Sequence, residues 1–308
     1  MLTSFANSDN RSEHNPAMPA TTAILIPTLG RPTRVAPLLA NLASTTRDPY
    51  RVYFVVEPDD EATIAAVRSA GAELIFNRGQ GSYASCVNTA FRETTEPFLF
   101  TGADDVRFLP GWLESANEAM RDPLVGVVGT VDPLHEFADQ STHSLVRRGY
   151  IDRFGGSPDL PGEVFHGYHH GFCDTEFICV AKARGAYRYC VESRVEHHHP
   201  GWDRLGYVRS DTPAFDATYA RGNERHLADL QTFVERSASW RHDLPADTPA
   251  SRSILKFVRR HRGLCGRVRI AVGMAGRLSG WSDAMRRVRR LCRPAKPANR
   301  RTVAESVA

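Results

Sequence analysis

Two adjacent carboxylates, Asp104 and Asp105, follow an apolar run at residues 98–100 of the 308-residue chain. The run is typical of a buried strand, and in open α/β sheets the carboxyl ends of strands form the edge where ligands bind. Adjacent carboxylates repel each other unless a cation neutralises them. A divalent metal that bridges to phosphate oxygens would do so, whereas a solvated Asp-Asp turn needs no ligand. Gly102 and Ala103 are small, and we expect them to let a ligand approach the backbone.

A second group of chemically active side chains lies at residues 166–177, where His, Asp and Glu are interleaved before an apolar helix predicted through residues 178–183. Asp174 stands at or close to the N-terminus of that helix. One interpretation is an N-cap, in which the carboxylate accepts a hydrogen bond from a backbone amide. The other is a functional role within the cluster of His, Asp and Glu side chains that surrounds it. Both interpretations stay open on these residues alone.

Three consecutive histidines follow a short predicted strand, and they are candidate metal ligands or an inert surface cluster. In an extended chain His197 and His199 face one side and His198 the other.

The six cysteines contain no CxxC pair, and their spacing matches none of the usual zinc patterns. Free thiols of a reduced cytoplasmic protein are therefore expected.

The segments that must position these groups alternate between strands and helices. Strands are predicted at residues 23–27, 52–56, 73–76, 98–100, 125–128, 187–191 and 195–197, and helices at 33–43 (with Thr33 as a cap), 61–69, 83–92 and 111–120. The alternation indicates an α/β fold with a single Rossmann-like, mostly parallel sheet covered by helices on both faces. Polar loops at 28–31, 57–60 and 77–81 should then gather at the edge that carries Asp104. Residues 135–162 are expected to be a loop-rich flap.

Two familiar phosphate-binding motifs are excluded. The Gly-rich loop at residues 77–81 lacks the Gly-Lys-Ser/Thr ending of a P-loop, and Gly30 does not begin a GxGxxG dinucleotide fingerprint.

Residues 1–20 have no apolar periodicity and no apolar stretch typical of a signal peptide, so a disordered segment is expected. We expect a catalytic domain over 21–245 and a basic, partly helical tail over 246–308.

The charge distribution sets this tail apart from the rest of the chain. From Ala250 onward there are sixteen Lys and Arg residues against two acidic ones, whereas the remainder carries a net charge of −10. Apolar residues recur in the tail at helical spacing, at Leu278, Trp281, Met285, Val288 and Leu291. This pattern favours either an amphipathic helix on an anionic membrane surface or a helical cap packed on the domain. A cytoplasmic protein, peripheral on the inner membrane face, is expected; no motif supports nucleic-acid binding, and no run is long enough to span a membrane.

Taken together, these features resemble glycosyltransferase family 2, whose members have the A-type nucleotide-sugar-binding fold. The resemblance covers about residues 22–240. Its motifs are the segments 24–28, 77–88, 102–105, 173–176 and 195–197. It implies transfer of a sugar, with inversion at the anomeric carbon, from a UDP- or GDP-type donor to a hydroxyl of a glycan, lipid-linked or protein acceptor.

The resemblance also implies roles for individual residues. The nucleotide-sugar site would include Pro27, Thr28, Arg31, Glu57, Asp59, Arg78, Asn88 and Asp104. The metal ligands would be Asp104, Asp105, His197 and His199, and the general base Asp174, with Glu176 as the alternative. The metal would be Mn²⁺ or Mg²⁺, and histidine ligation tilts the choice toward manganese.

Three motifs depart from the family pattern. Gly102 replaces the first acid of the Asp-x-Asp metal motif, Glu57 and Pro58 replace a pair of aspartates after the second strand, and Cys173 replaces a glutamate before the base. The shortened metal motif leaves open a catalytically silent module that binds nucleotide sugars or glycans. A nucleotidyltransferase, which would release pyrophosphate, is a further alternative.

Overall fold

The computed structural model describes residues 20–79, 81–134, 139–200 and 216–244, together with 252, 254–256, 258 and 259. All the elements named below lie in one structural unit, Met1–Lys256. The strands are β1 (Thr22–Pro27), β2 (Tyr50–Val56), β3 (Glu73–Phe76), β4 (Phe98–Thr101), β5 (Val106–Phe108), β6 (Val127–Val131), β7 (Ser144–Arg147) and β8 (Tyr187–His197). The helices are α1 (Val35–Thr45), α2 (Glu61–Ser69), α3 (Tyr83–Glu93), α4 (Trp112–Ala119), α5 (Arg148–Phe154), α6 (Cys173–Ala183) and α7 (Ala217–Arg236).

The strands of the described residues form one sheet in the order β3-β2-β1-β4-β7-β6-β8-β5. The first four strands in this order are parallel, as expected, with helical crossovers between them. The remainder is mixed, because β7 pairs antiparallel with both β4 and β6, and β5 pairs antiparallel with β8. The α/β class with one mostly parallel sheet is thus confirmed, since four of the seven strand pairings among the described residues are parallel, that of β6 with β8 included.

The expected flap is the clearest difference from the sequence prediction. Residues 144–154 form a strand inside the sheet and a helix, β7 and α5, rather than a loop. The two short strands predicted near residues 187–197 are one strand, β8, which changes register beside β6 after Thr130. Because β8 reaches both β6 and β5, it carries the three histidines to the edge where Asp105 lies.

Both faces of the parallel half are buried, which the strand sequences explain. On β1, Ile24 and Ile26 join a core built with side chains of α1, α2 and α4, while Ala23 and Leu25 on the other face are also fully buried. The second face is covered by α3, which contacts β1, β2 and β3. Apolar residues at every position of a strand are typical of a sheet with helices on both sides.

Side-chain caps mark where α2 and α3 begin, but not where α1 begins. Asp60 caps α2 by accepting from Thr63 N (3.2 Å), and Ser82 caps α3 by accepting from Ser85 N (3.1 Å). Thr33 does not cap α1 as predicted, since it lies in a 3-10 turn, Pro32–Arg34, which leads into the helix.

The predictions for residues 1–19 and for most of 245–308 lie outside the described residues. No helix in the described part of the chain is long and apolar enough to cross a membrane.

Candidate active site

The loops after β1, β2 and β4 meet at one edge of the sheet. Gly30 N donates to Asp60 Oδ2 (2.6 Å), which ties the loop after β1 to the cap of α2. Gly102 N donates to Leu25 O (2.9 Å), which holds the start of the acidic loop against β1. These bonds join the carboxyl ends of three neighbouring parallel strands, so the predicted convergence is confirmed.

Gly102 is required by packing rather than by ligand access. A Cβ built at this position would lie 2.6 Å from Ile26 Cδ1 and 2.9 Å from Leu25 O, and real Cβ atoms do not approach other atoms so closely. The expectation that Gly102 leaves room for a ligand is therefore wrong, because β1 fills that room. Any side chain at position 102, that of an aspartate included, would therefore require β1 to shift.

Asp104 is buried and paired with two guanidinium groups. Its Oδ1 accepts from Arg31 (2.7 Å) and from Arg34 (2.9 Å), and only 3% of its side chain is exposed. Its other oxygen, Oδ2, is buried with no hydrogen-bond partner among the described residues. Burial raises the pKa of Asp104 to about 6, with the arginines acting in the opposite direction. Arg31, which the resemblance assigns to the nucleotide-sugar site, is itself buried.

Asp105 faces the histidine strand and α7. Its Oδ1 lies 3.4 Å from His197 Nε2, and its Oδ2 accepts from the Tyr219 hydroxyl (2.8 Å). Burial acts against ionisation, but His197 holds the pKa of Asp105 well below its ordinary value. Reciprocally, burial opposes protonation of His197 while Asp105 raises its pKa. The two groups therefore form a buried ion pair.

His197 of this ion pair belongs to a row of four imidazole rings. The centroids of His143 and His197 are 4.9 Å apart, those of His197 and His199 are 5.5 Å apart, and those of His199 and His170 are 6.3 Å apart. His198 instead turns to Glu196 (3.0 Å), so the predicted alternation along residues 197–199 is confirmed. His143 was missed in the sequence because it lies in the segment expected to be a flap.

The donor types of this cluster fit a divalent metal. Carboxylate and imidazole suit Mn²⁺, and the unpartnered Asp104 Oδ2 is a free oxygen ligand. Within the described residues, however, no three His, Cys, Asp or Glu side chains are grouped so that they could hold a metal by themselves. A metal held by one or two carboxylates, with the other positions taken by substrate phosphates and water, does not need a third protein ligand. The four residues predicted as ligands stay a proposal on this basis.

Asp174 lies in the first turn of α6, close to the same cluster. It is not the N-cap, which is Phe172 in a left-handed conformation (φ 66°) without a side-chain capping bond. Its Oδ1 accepts from the amide of Thr175 (2.8 Å). Burial raises the pKa of Asp174, while positive charge on His197 acts to lower it. A carboxylate with a raised pKa is a better proton acceptor than an ordinary one.

Glu176, the alternative base, is committed to other groups. It is fully buried, and Arg236 of α7 forms a two-pronged ion pair with it, with Nη2 2.8 Å from Oε1 and Nε 3.0 Å from both oxygens. The Tyr168 hydroxyl donates to its Oε2. An acceptor hydroxyl has no access to this carboxylate, so the structure does not support Glu176 as a base.

The predicted nucleotide side is organised by Asn77. Its Nδ2 donates to Glu57 Oε1 (2.8 Å), and its side-chain oxygen accepts from Gly79 N, Ser85 Oγ and Thr89 Oγ1. Asn77 thereby fixes Glu57 at the end of β2, where the acid that meets the nucleotide base was predicted.

The other predicted nucleotide residues differ in their exposure. Pro27 ends β1 beside Val55, and Thr28 after it is buried. Asp59 is exposed in the loop after β2, where Asp60, not Asp59, carries the structural bonds.

Arg78 and Asn88 are engaged away from the acidic pair. The Arg78 guanidinium is exposed and pairs with Glu93 (2.9 Å). Both ends of the buried Asn88 amide bind the main chain of residues 164–165, since Oδ1 accepts from two amides and Nδ2 donates to a carbonyl. The structure therefore gives Asn88 a structural role in place of the predicted contact with the donor.

Sequence reasoning missed the contribution of α7. Asp216, which caps this helix, pairs with Arg31 (2.8 Å), and the Arg31 guanidinium lies 4.0 Å from the centre of the Tyr219 ring. Arg34 donates to the Tyr219 hydroxyl (3.1 Å), the same hydroxyl that binds Asp105. Nothing local marks these residues, because their partners lie more than 110 residues earlier in the chain.

Comparison with solved structures shows what class of protein has this architecture. A mannosyltransferase from Pyrobaculum calidifontis, in complex with GDP-Man and Mn²⁺, superposes with a TM-score of 0.53 at 17% identity, over 85% of this chain and 81% of that one. A mycobacterial protein superposes with a TM-score of 0.52 at 8% identity, over 74% of this chain and 76% of that one. Glucosyl-3-phosphoglycerate synthase from Mycobacterium tuberculosis gives a TM-score of 0.48 at 10% identity, over 69% and 80%. The fold is that of the A-type glycosyltransferases.

The family follows from the sequence itself. Residues 23–172 match the family model for glycosyl transferase family 2. The chain thus carries a glycosyl transferase family 2 domain and is a glycosyltransferase. Among curated protein sequences, none shows significant similarity to it.

Proposed function

We propose that the protein is an inverting, metal-dependent glycosyltransferase that moves a sugar from a nucleotide diphosphate sugar to a hydroxyl acceptor. One observation carries this proposal. His197 Nε2 lies 3.4 Å from Asp105 Oδ1, and His197 also interacts electrostatically with Asp174, which supports one site for the acidic pair and the candidate base. A donor diphosphate at the pair would place its sugar beside the base.

Asp174 is the proposed general base. As the acceptor oxygen attacks the anomeric carbon, its proton passes to the Asp174 carboxylate, whose raised pKa favours the transfer. The new carbon–oxygen bond forms as the bond to the diphosphate breaks, and the nucleotide diphosphate leaves with the electron pair. A single displacement of this kind inverts the anomeric carbon.

Asp104, Asp105, His197 and His199 are the proposed metal site. A divalent cation bound there would stabilise the negative charge that develops on the leaving diphosphate. Arg31 and Arg34, which already hold Asp104, are cations suited to phosphate oxygens. The presence of Mn²⁺ in the complex of the mannosyltransferase supports manganese over magnesium.

The donor is proposed to be of the GDP or UDP type. Glu57 at the end of β2, which Asn77 holds by a hydrogen bond, would accept hydrogen bonds from the nucleotide base, and the buried Thr28 in the loop after β1 would contact the nucleotide. GDP-Man is the donor in the mannosyltransferase complex, so it is the first to test. The acceptor hydroxyl would belong to a glycan, a lipid-linked sugar or a protein.

The basic tail is proposed to bring the enzyme to the inner, anionic face of a membrane, where a lipid-linked acceptor would lie. The support is the charge of residues 250–308, sixteen basic against two acidic, beside an apolar stripe that includes Trp281. Each basic residue near an anionic surface contributes about 1 kcal/mol.

The function is tested by turnover of GDP-Man and UDP-Glc with Mn²⁺, with and without EDTA. Asp174→Asn should lower kcat by roughly 10²-fold or more while the affinity for the nucleotide is kept. Asp152→Asn, an exposed carboxylate on α5, is the matched control and should not change kcat. Release of pyrophosphate would show a nucleotidyltransferase, and donor binding without turnover would show a silent binding module. Full activity in Asp174→Asn would refute the proposed base.

A further inference from the structure

Helices α6 and α7 both follow the segment that matches the family, and α7 makes ionic contacts with α6, which carries the proposed base. Arg236, at its C-terminal end, binds both oxygens of Glu176, two residues after Asp174 on α6. Glu176 has no exposed surface. A buried carboxylate of this kind is stable only when it is well paired, so its position is tied to that of Arg236.

A second contact holds the other side of the base. Asp229 of α7 is 1% exposed, and its carboxylate accepts from three successive amides, those of His169 (2.8 Å), His170 (2.9 Å) and Gly171 (2.8 Å). Three charge-assisted bonds to adjacent amides fix the course of the loop just before α6.

The junction between this loop and α6 is also stabilised by contacts with α7. Phe172 has a left-handed backbone conformation, which is uncommon for a residue with a bulky side chain. Its ring stacks on Phe233 of α7, with centroids 5.1 Å apart. The start of α6 has no side-chain cap of its own, so the direction in which α6 leaves the loop depends on these contacts.

We propose that α7 positions the general base, with Asp229 and Arg236 as the positioning residues on either side of Asp174. The proposal rests on the proposed role of Asp174. The two anchors hold residues 169–171 and residue 176, and Asp174 lies between them. Displacing a catalytic group by about 1 Å can cost about 10²-fold in rate, so loss of either anchor should affect turnover more than donor binding.

The test uses the full chain and three variants: Asp229→Asn, Arg236→Met and the double variant Glu176→Met with Arg236→Met. Arg236→Met alone leaves the buried Glu176 carboxylate without its cation, which can prevent folding. The double variant removes both charges. Exposed residues supply the controls, Asp152→Asn and Arg68→Met. For each variant, calorimetry with GDP and Mn²⁺ gives the affinity and the number of sites, and turnover of GDP-Man gives kcat.

We expect Asp229→Asn and the double variant to lower kcat roughly 10- to 100-fold. Their affinity for the nucleotide should stay within about threefold of the wild type, and calorimetry should still show one nucleotide site per chain. A purely structural role would instead reduce the number of sites and kcat in proportion. That result, or kcat within about twofold of the wild type, overturns the proposal.

Asp174→Asn in the same assay separates the two proposals. If Asp174→Asn is impaired and the α7 variants are not, only the positioning role fails. If Asp174→Asn is fully active, the assigned base is wrong, and the positioning role falls with it even where the α7 variants lose activity.

Discussion

Arg31 offers the sharpest test of how the site is stabilised. Its guanidinium contacts Asp104 at 2.7 Å, Asp216 at 2.8 and 3.0 Å, and the ring of Tyr219 at 4.0 Å. The variant Arg31→Met keeps the length of the side chain and much of its apolar volume while removing the charge. We expect it to destabilise the fold and to weaken nucleotide binding.

The expected magnitude follows from the burial of each partner. Removing one member of a buried ion pair costs about 3–5 kcal/mol, but Asp104 keeps Arg34 at 2.9 Å, so about half of that cost should remain. The Asp216 side chain is 36% exposed, so its pair adds at most about 1 kcal/mol. The stacked ring adds roughly 0.5–1 kcal/mol. The free energy of unfolding should therefore fall by about 3 kcal/mol.

Urea unfolding of the wild type and two variants measures this loss. The control is Arg51→Met, because the Arg51 side chain is 59% exposed and its carboxylate partners are 3.9 Å away. We expect a cost of less than about 0.5 kcal/mol for that variant. If Arg31→Met costs less than about 1 kcal/mol, or no more than Arg51→Met, the argument that buried guanidinium groups stabilise the acidic pair is wrong.

Two further predictions concern other parts of the chain. His197→Ala and His199→Ala should weaken the dependence of turnover on Mn²⁺ in an EDTA titration, whereas His198→Ala should not, because His198 faces Glu196; equal behaviour of all three would contradict a metal-site role. The full-length protein should sediment with phosphatidylserine liposomes at low salt and be released as salt rises. Truncation after Pro249 should abolish this binding, and a full-length protein that stays in the supernatant would refute the membrane role.

The first half of the fold was predictable from sequence because its signals are local. The strands near Ile24, Phe54 and Ile75 are short apolar runs separated by amphipathic helices, and each polar loop follows directly after a strand. Parallel pairing then brings the loops to one edge without any knowledge of distant contacts. The acidic pair was placed correctly for this reason.

The second half was not predictable in the same way. β7 lies between β4 and β6 as an antiparallel strand, and such a pairing needs no crossover helix that would mark it in the sequence. Its sequence, Ser144–Arg147, is short and ends in a basic residue, so nothing in it indicates a strand inside the sheet. His143, which precedes it and reaches His197, was missed with it.

Gly102 shows how packing decides a question that a motif leaves open. By resemblance alone, its place in the metal motif suggests a weakened metal site and hence a silent protein. The structure gives a different reason for the glycine, since β1 occupies the space that any side chain would need. The glycine at this position is therefore accounted for by close strand packing as well as by the departure from the motif.

The acids of the site were visible in the sequence, but the cation with which each of them pairs was not. Asp104 is neutralised by Arg31 and Arg34, Asp105 by His197, and Glu176 by Arg236 from a helix that follows the family segment. Since a buried carboxylate without a partner is too costly to keep, each acid predicted at a sheet edge implies a cation somewhere in the chain. The partner of each carboxylate distinguishes the two candidate bases. Glu176 is held by a guanidinium on both oxygens, whereas Asp174 is bound mainly by the neighbouring amide, which leaves it able to accept a proton.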